Sequence, residues 1–165
     1  MNGLLIRPCR VTDAPGLADL YHRAVREGTG RHYDAAQRAA WSPAPPQGED
    51  WRRRLVEAQT MVAEQGDRLL GFMTMDMDTG FLDFAYVAPE AMGQGVAETL
   101  YAVLEGRARV AGLTRLETEA SLLAERFFLR RGWRVLRRQE VERHGVRIPN
   151  AVMEKSLTRA RKFAA

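Results

Sequence analysis

The chain has 165 residues, 45% hydrophobic and 28% charged, which suits one soluble globular domain and excludes a disordered or low-complexity protein. Its net charge of +4 is carried by Lys155, Arg159, Arg161 and Lys162 near the C-terminus; without them 21 basic residues face 21 acidic ones, which argues against a nucleic-acid partner. No apolar run approaches the ~20 residues that span a membrane, so no membrane association is expected.

Residues 4–9 read as a strand, with Thr12 or Asp13 capping a helix that runs to about Glu27. Gly28-Thr29-Gly30 breaks it, and residues 34–41 and 49–58 read as two further helices on either side of the Pro/Gly-rich loop 42–48. Strands are expected at residues 60–64, 69–76 and 80–87, with turn signals at Gln65-Gly66-Asp67 and Met77-Asp78-Thr79-Gly80. Next, Val96, Leu100, Val103, Leu104, Ala108 and Ala111 recur at helical spacing and Gly112 follows as a C-cap signal. A strand at residues 114–119 precedes a helix at 122–131, and two closing strands, 135–142 and 146–154, meet at a His144-Gly145 hairpin. The fold class is therefore α/β in the α+β sense: a mostly antiparallel mixed sheet flanked by helices. The strand–helix–strand crossover over residues 80–119 supplies its one parallel pair. Residues 1–157 form the domain and residues 158–165 a basic C-terminal tail.

The segment Val87-Ala88-Pro89-Glu90-Ala91-Met92-Gly93-Gln94-Gly95-Val96-Ala97 carries most of the functional information. A strand stops at a proline, passes a small-residue turn and enters an amphipathic helix. The first amides of that helix have no internal acceptor and, with the helix dipole, suit a phosphate or pyrophosphate. No Lys follows Gly95, which excludes a P-loop, and Glu98 occupies the third glycine position of a dinucleotide fingerprint.

What remains, Met92-Gly93-Gln94-Gly95-Val96-Ala97, resembles the Gln/Arg-x-x-Gly-x-Gly/Ala signature of the GNAT superfamily of N-acetyltransferases, with Met92 in place of the usual Gln or Arg. Further blocks are similar in the same order. Ile6-Arg7-Pro8 followed by Asp13 resembles the opening strand and helix. The run from Ser121 through Ala124, Phe127 and Phe128 to Gly132-Trp133 resembles the family's Asn-x-x-Ala-x-x-Phe-Tyr-x-x-x-Gly-Phe block, and residues 145–157 its closing strand.

The resemblance implies that the central parallel pair splays around acetyl-CoA as cosubstrate. The backbone of Ala85 and Val87 would bond the pantetheine arm, with the Val87 amide polarising the thioester carbonyl. Amides of Met92, Gly93, Gln94, Gly95, Val96 and Ala97 would hold the pyrophosphate, and Ser121 and Phe128 would complete the cofactor wall. Phe128 stands where many relatives have tyrosine, and a phenyl ring cannot protonate a thiolate. Tyr86, Tyr101 or solvent could replace it, and no general acid is assigned. Arg126, Arg130 and Arg131 could meet a nucleotide phosphate or form a solvated basic face.

Acyl transfer to an ammonium also needs a base. Strand alternation puts Asp83 on the same face as Ala85 and Val87 and makes it a candidate; Glu119, at the end of the next parallel strand, is its rival. The expected activity is transfer of an acetyl group to a primary amine of a small molecule or peptide. Phe128 keeps open a second reading, a catalytically silent acyl-CoA-binding domain. Relatives often pair, so a homodimer is compatible with the resemblance.

His22, His32, His144 and Cys9 have no ligand-like spacing, so no metal site is expected. The alternating Met73, Met75 and Met77 read as core or as the wall of an apolar acceptor pocket, and Trp41 and Trp51 as lid or anchors of the proline loop. With one cysteine and no basic, apolar leader in Met1-Asn2-Gly3-Leu4-Leu5-Ile6, a cytoplasmic location is expected.

Overall fold

A computed structural model describes residues 3–157; the basic tail, 158–165, lies outside the described residues. Seven strands form one sheet in the order β1-β2-β3-β4-β5-β7-β6. They are β1 (Leu4–Pro8), β2 (Gln59–Gln65), β3 (Arg68–Met75), β4 (Phe81–Val87), β5 (Arg115–Ser121), β6 (Arg134–Arg143) and β7 (Val146–Ser156). Every neighbouring pair is antiparallel except β4–β5, which is parallel. The helices are α1 (Ala14–Gly28), α2 (Ala35–Trp41), α3 (Glu49–Val56), α4 (Val96–Val110) and α5 (Leu122–Leu129). The third and fifth end two residues earlier than their sequence pattern suggested. Among the described residues no helix is long and apolar enough to cross a membrane.

β3 explains the layering. It is buried on both faces, which its run Leu69-Leu70-Gly71-Phe72-Met73-Thr74-Met75 permits. One face carries Phe72, whose ring packs with Trp51, Phe84 and Tyr86 beneath α1 and α3. The other carries Gly71, where a Cβ would come within 2.9 Å of Val96 Cγ1 and 3.3 Å of Leu100 Cδ1, so α4 lies close against that side. Met73 and Met75 are fully buried there, in the main core.

Local signals fix the helix ends. α1 follows a 3-10 turn in which the Asp13 carboxylate accepts from the Arg10 amide at 2.7 Å and pairs with Arg7 at 2.7 Å. Asp34 caps α2 in a reciprocal box with Gln37. α4 closes in a Schellman pattern: Gly112 is left-handed and the Leu113 amide donates to Ala108 O at 3.0 Å. Trp51 is an anchor, buried with its indole N–H on Ala14 O at 2.8 Å. Tyr33 ties the far side of the sheet to the helices, donating to Pro149 O at 2.7 Å and accepting from the Leu122 amide at 2.9 Å.

Candidate active site

β4 and β5 share only two register pairs, Phe81 with Glu117 and Leu82 with Thr118. The Thr118 hydroxyl closes this short contact by donating to Leu82 O at 2.8 Å. Past that point β4 stays on β3 as far as Val87, opposite Gly71, while β5 stays on β7 as far as Ser121, opposite Asn150. The central parallel pair therefore splays, and the edges of residues 83–87 and 119–121 face a gap.

Two cavities of about 250 and 640 Å³ open on this gap and share Trp41, Ala85, Tyr86, Ser121, Ala124 and Phe128 as common wall. The predicted site residues divide between them. Asp83 and Glu119 line the smaller cavity; Val87, Met92, Gly93, Val96 and Ala97 line the larger; Ala85, Ser121 and Phe128 border both. Gln94 and Gly95 belong to the same turn without forming its wall, and Gln94 Nε2 braces the turn on Glu90 O at 2.9 Å.

The turn has the backbone that an anion site requires. Gly93 and Gly95 both have positive φ, 75° and 84°, a region that disfavours L side chains. Gly95 is the N-cap of α4, and the helical ladder begins where the Thr99 amide donates to Gly95 O at 3.1 Å. The amides of Val96, Ala97 and Glu98 precede that bond and have no intrahelical acceptor. Arg126 and Arg130 line the same cavity. Arg131 instead stacks on the Phe127 ring at 3.7 Å and pairs with Glu98 at 3.5 Å, so it is engaged within the protein.

The expected common face of Asp83, Ala85 and Val87 does not form. Thr74 pairs with Phe84 and Met75 with Leu82, which leaves Asp83 as the extra residue of a β-bulge. The bulge turns Asp83 toward the side of Phe84, and Arg54 of α3 serves both. Its guanidinium holds the Asp83 carboxylate at 3.0 Å and lies 4.4 Å from the Phe84 ring centroid. Glu119 lines the same cavity and has no salt-bridge partner among the described residues.

Tyr101 borders neither cavity; it is buried with its hydroxyl on the Trp133 indole N–H at 2.8 Å. Tyr86 borders both, and burial holds its pKa well above the ordinary tyrosine value, so it keeps its proton throughout the neutral range. Ser121 caps α5, accepting from the Ala124 amide at 3.1 Å, which leaves its hydroxyl hydrogen to donate. Among the described residues no group of three or more His, Cys, Asp or Glu side chains could hold a metal ion.

Sequence reasoning did not single out Arg54, Arg143 or Asn150, all on the wall of the smaller cavity. Arg54 lies in the charged helical segment 49–58 beside Arg52 and Arg53, with nothing local to set it apart; the other two sit in ordinary strand sequence.

Residues 30–157 match the family model described as an acetyltransferase (GNAT) domain. The chain belongs to the GNAT acetyltransferase family. It is 29% identical over 153 residues to the uncharacterized N-acetyltransferase YafP of Escherichia coli, covering 93% of this GNAT chain and 96% of that protein. A GCN5-related N-acetyltransferase from Rhodopseudomonas palustris has the same fold, with TM-score 0.88, 29% identity, and coverage of 95% and 98% of the two chains. A phosphinothricin acetyltransferase from Sinorhizobium meliloti, solved in complex with acetyl-CoA, shares the GNAT fold at TM-score 0.72 and 17% identity over 94% and 89% of the chains.

Proposed function

We propose that this GNAT chain is an acetyl-CoA-dependent N-acetyltransferase that passes the acetyl group to a primary amine by direct attack. The observation that carries the reading is the two-pair contact between β4 and β5, with a glycine-bent helix N-terminus at one end of the gap and unequal cavities on either side. Acetyl-CoA supplies an activated thioester and a thiol leaving group.

The amides at the start of α4 and the turn before it hold the pyrophosphate, and the backbone of Ala85 and Val87 holds the pantetheine arm. The Val87 amide polarises the carbonyl that the amine attacks. Ser121 donates its hydroxyl to the same arm, and Phe128 closes the wall beside it. Two carboxylates compete for the role of base. Arg54 donates to both carboxylate oxygens of Asp83 at 3.0 Å, so that carboxylate is already occupied within the protein. Glu119, without such a partner, takes the ammonium proton; Asp83 fixes Arg54 and the bulge. The new N–C bond replaces the C–S bond, and the departing thiolate takes its proton from solvent, because Phe128 has none to give and burial weakens Tyr86 as an acid.

The test is mass-detected acetyl transfer across an amine panel, with Glu119→Gln and Asp83→Asn measured beside the parent. Glu119→Gln is expected to lower kcat about 100-fold or more while acetyl-CoA affinity is unchanged, with a smaller loss for Asp83→Asn. The reverse ranking would return the base to Asp83. The second reading, a silent acyl-CoA-binding domain, draws on Phe128 and on the inward-turned Tyr101; it predicts that acetyl-CoA binds and no amine in the panel is acetylated.

A further inference from the structure

The smaller cavity contains charged and polar groups that the transfer reaction does not use. Arg143, from the end of β6, lies on its wall with no carboxylate partner among the described residues. Its positive charge reaches the Tyr21 hydroxyl, opposing the burial that raises that group's pKa. The other guanidinium on the wall, Arg54, is neutralised by Asp83, so the pair contributes no net charge. Unpaired charge therefore consists of Arg143 and Glu119, of opposite sign, on the wall of one cavity.

A second observation is independent of charge. Asn150, on β7 directly opposite Ser121 of β5, lines the same cavity with its Oδ1 buried and without a hydrogen-bond partner. A buried acceptor left unpaired is disfavoured, so it marks a place where a donor is missing. The remaining wall is aromatic and aliphatic, including Tyr21, Trp41, Phe84 and Ile148. At about 250 Å³ the space is smaller than a typical drug-sized site of roughly 300–1,000 Å³.

We propose that the acceptor is a compact amino acid with an apolar side chain, bound as a zwitterion with its carboxylate on Arg143 and its ammonium between Glu119 and Asn150 Oδ1. This inference rests on the acetyltransferase reading and adds the acceptor to it. The assignments follow from hydrogen-bonding capacity. An ammonium has three N–H donors; one proton leaves to Glu119, and one of the two that remain is held by Asn150, which orients the lone pair toward the gap. A planar guanidinium matches a carboxylate in two parallel bonds. The aromatic wall takes the side chain. A polyamine would bring cations to Arg143 and leave it unmatched, and an aminoglycoside exceeds the space.

The experiment compares matched acceptors, L-methionine and L-phenylalanine against the same molecules lacking the carboxylate, with spermidine and a lysine peptide alongside. The parent is expected to prefer the carboxylated member by about 30-fold or more in kcat/KM. Arg143→Gln should reduce that preference to within about 3-fold, mainly through KM, with Arg143→Lys retaining part of it. Asn150→Leu should weaken both members alike. Binding is read separately by titrating the same amino acids onto the full chain with and without CoA. Equal use of the decarboxylated amines, a preference that survives Arg143→Gln, or acetylation confined to spermidine or the peptide would overturn the proposal. Amino acids that fail to bind in either form of the protein would also overturn it. Failure of CoA itself to bind, with amino-acid binding intact and dependent on Arg143, would sink the acetyltransferase reading and leave the amino-acid site standing.

Discussion

Gly95 and Gly112 stand at opposite ends of α4, and comparing them isolates the contribution of the turn to ligand binding. Both are left-handed, at φ 84° and 82°, and in both cases an added Cβ would meet nothing within 4 Å. Alanine at either site therefore carries the same cost, the left-handed strain of about 1–2 kcal/mol. For a domain of this size that is a drop in Tm of roughly 2–8 °C for each variant. Affinity should separate them. Strain at Gly95 is relieved by rotating the backbone that aims the amides of Val96 and Ala97, whereas strain at Gly112 is relieved at the far end. Loss of one charge-assisted bond to a phosphate is worth about 1.5–3 kcal/mol, which is roughly 10- to 150-fold in Kd. Calorimetric titration of CoA, with melting curves on the same samples, reads both quantities. Gly95→Ala is expected to weaken CoA by that factor and Gly112→Ala not to alter it. Equal Kd values at equal loss of Tm would refute the assignment of the phosphate site to this turn.

Two further outcomes follow from packing and from charge. Gly80 has φ 78°, and a Cβ there would lie 2.4 Å from Arg115 O, so Gly80→Ala adds a backbone clash to the strain and should cost roughly 3 kcal/mol or more. Gly66→Ala, with positive φ and open surroundings, should lose only the strain share in a parallel melt; equal losses would disprove the close approach of Gly80 to β5. Glu105 is partly desolvated, which opposes its charge, but Lys155 at 2.8 Å, Tyr101 and Arg109 outweigh this and hold its pKa at about 2 against an ordinary 4.5. Because the folded value is the lower one, its contribution is complete above pH 4.5 and disappears as pH falls toward 2. After solvent screening that contribution is about 1 kcal/mol, or 2–4 °C. The Tm gap between the parent and Glu105→Gln should be widest above pH 5 and close in acid; a constant gap would remove the linkage.

What the sequence made legible was local. The strand, proline stop, paired glycines and helical spacing over residues 81–110 are all encoded within a few positions, and the turn follows from backbone permissiveness alone. The hairpin at His144-Gly145 is local in the same way. The facing of Asp83 was not legible, because a bulge is a property of two strands: it exists only once Thr74 and Met75 fix where Phe84 and Leu82 pair. Arg54 is 29 positions from Asp83 and Trp133 is 32 from Tyr101, so neither the ion pair nor the indole that draws Tyr101 inward leaves a trace in periodicity. Asn150 looked like any polar residue on a strand. Its unpaired oxygen emerges only when β7 is laid beside β5.

The two-pair contact of β4 with β5 also bears on cohesion. On one side of it lie β1 to β4, on the other β5, β7 and β6, and the backbone ladder joining the halves ends at Leu82 and Thr118. Anything that bonds along both free edges acts as an additional strand, so its binding energy becomes sheet-closing energy. At 100 times its Kd such a molecule adds about 2.7 kcal/mol to the folded state. Amide exchange should slow in β4 and in β5 together, though their nearest ends, Val87 and Arg115, are 28 positions apart. A molecule seated in that gap would then also set how long the sheet stays shut.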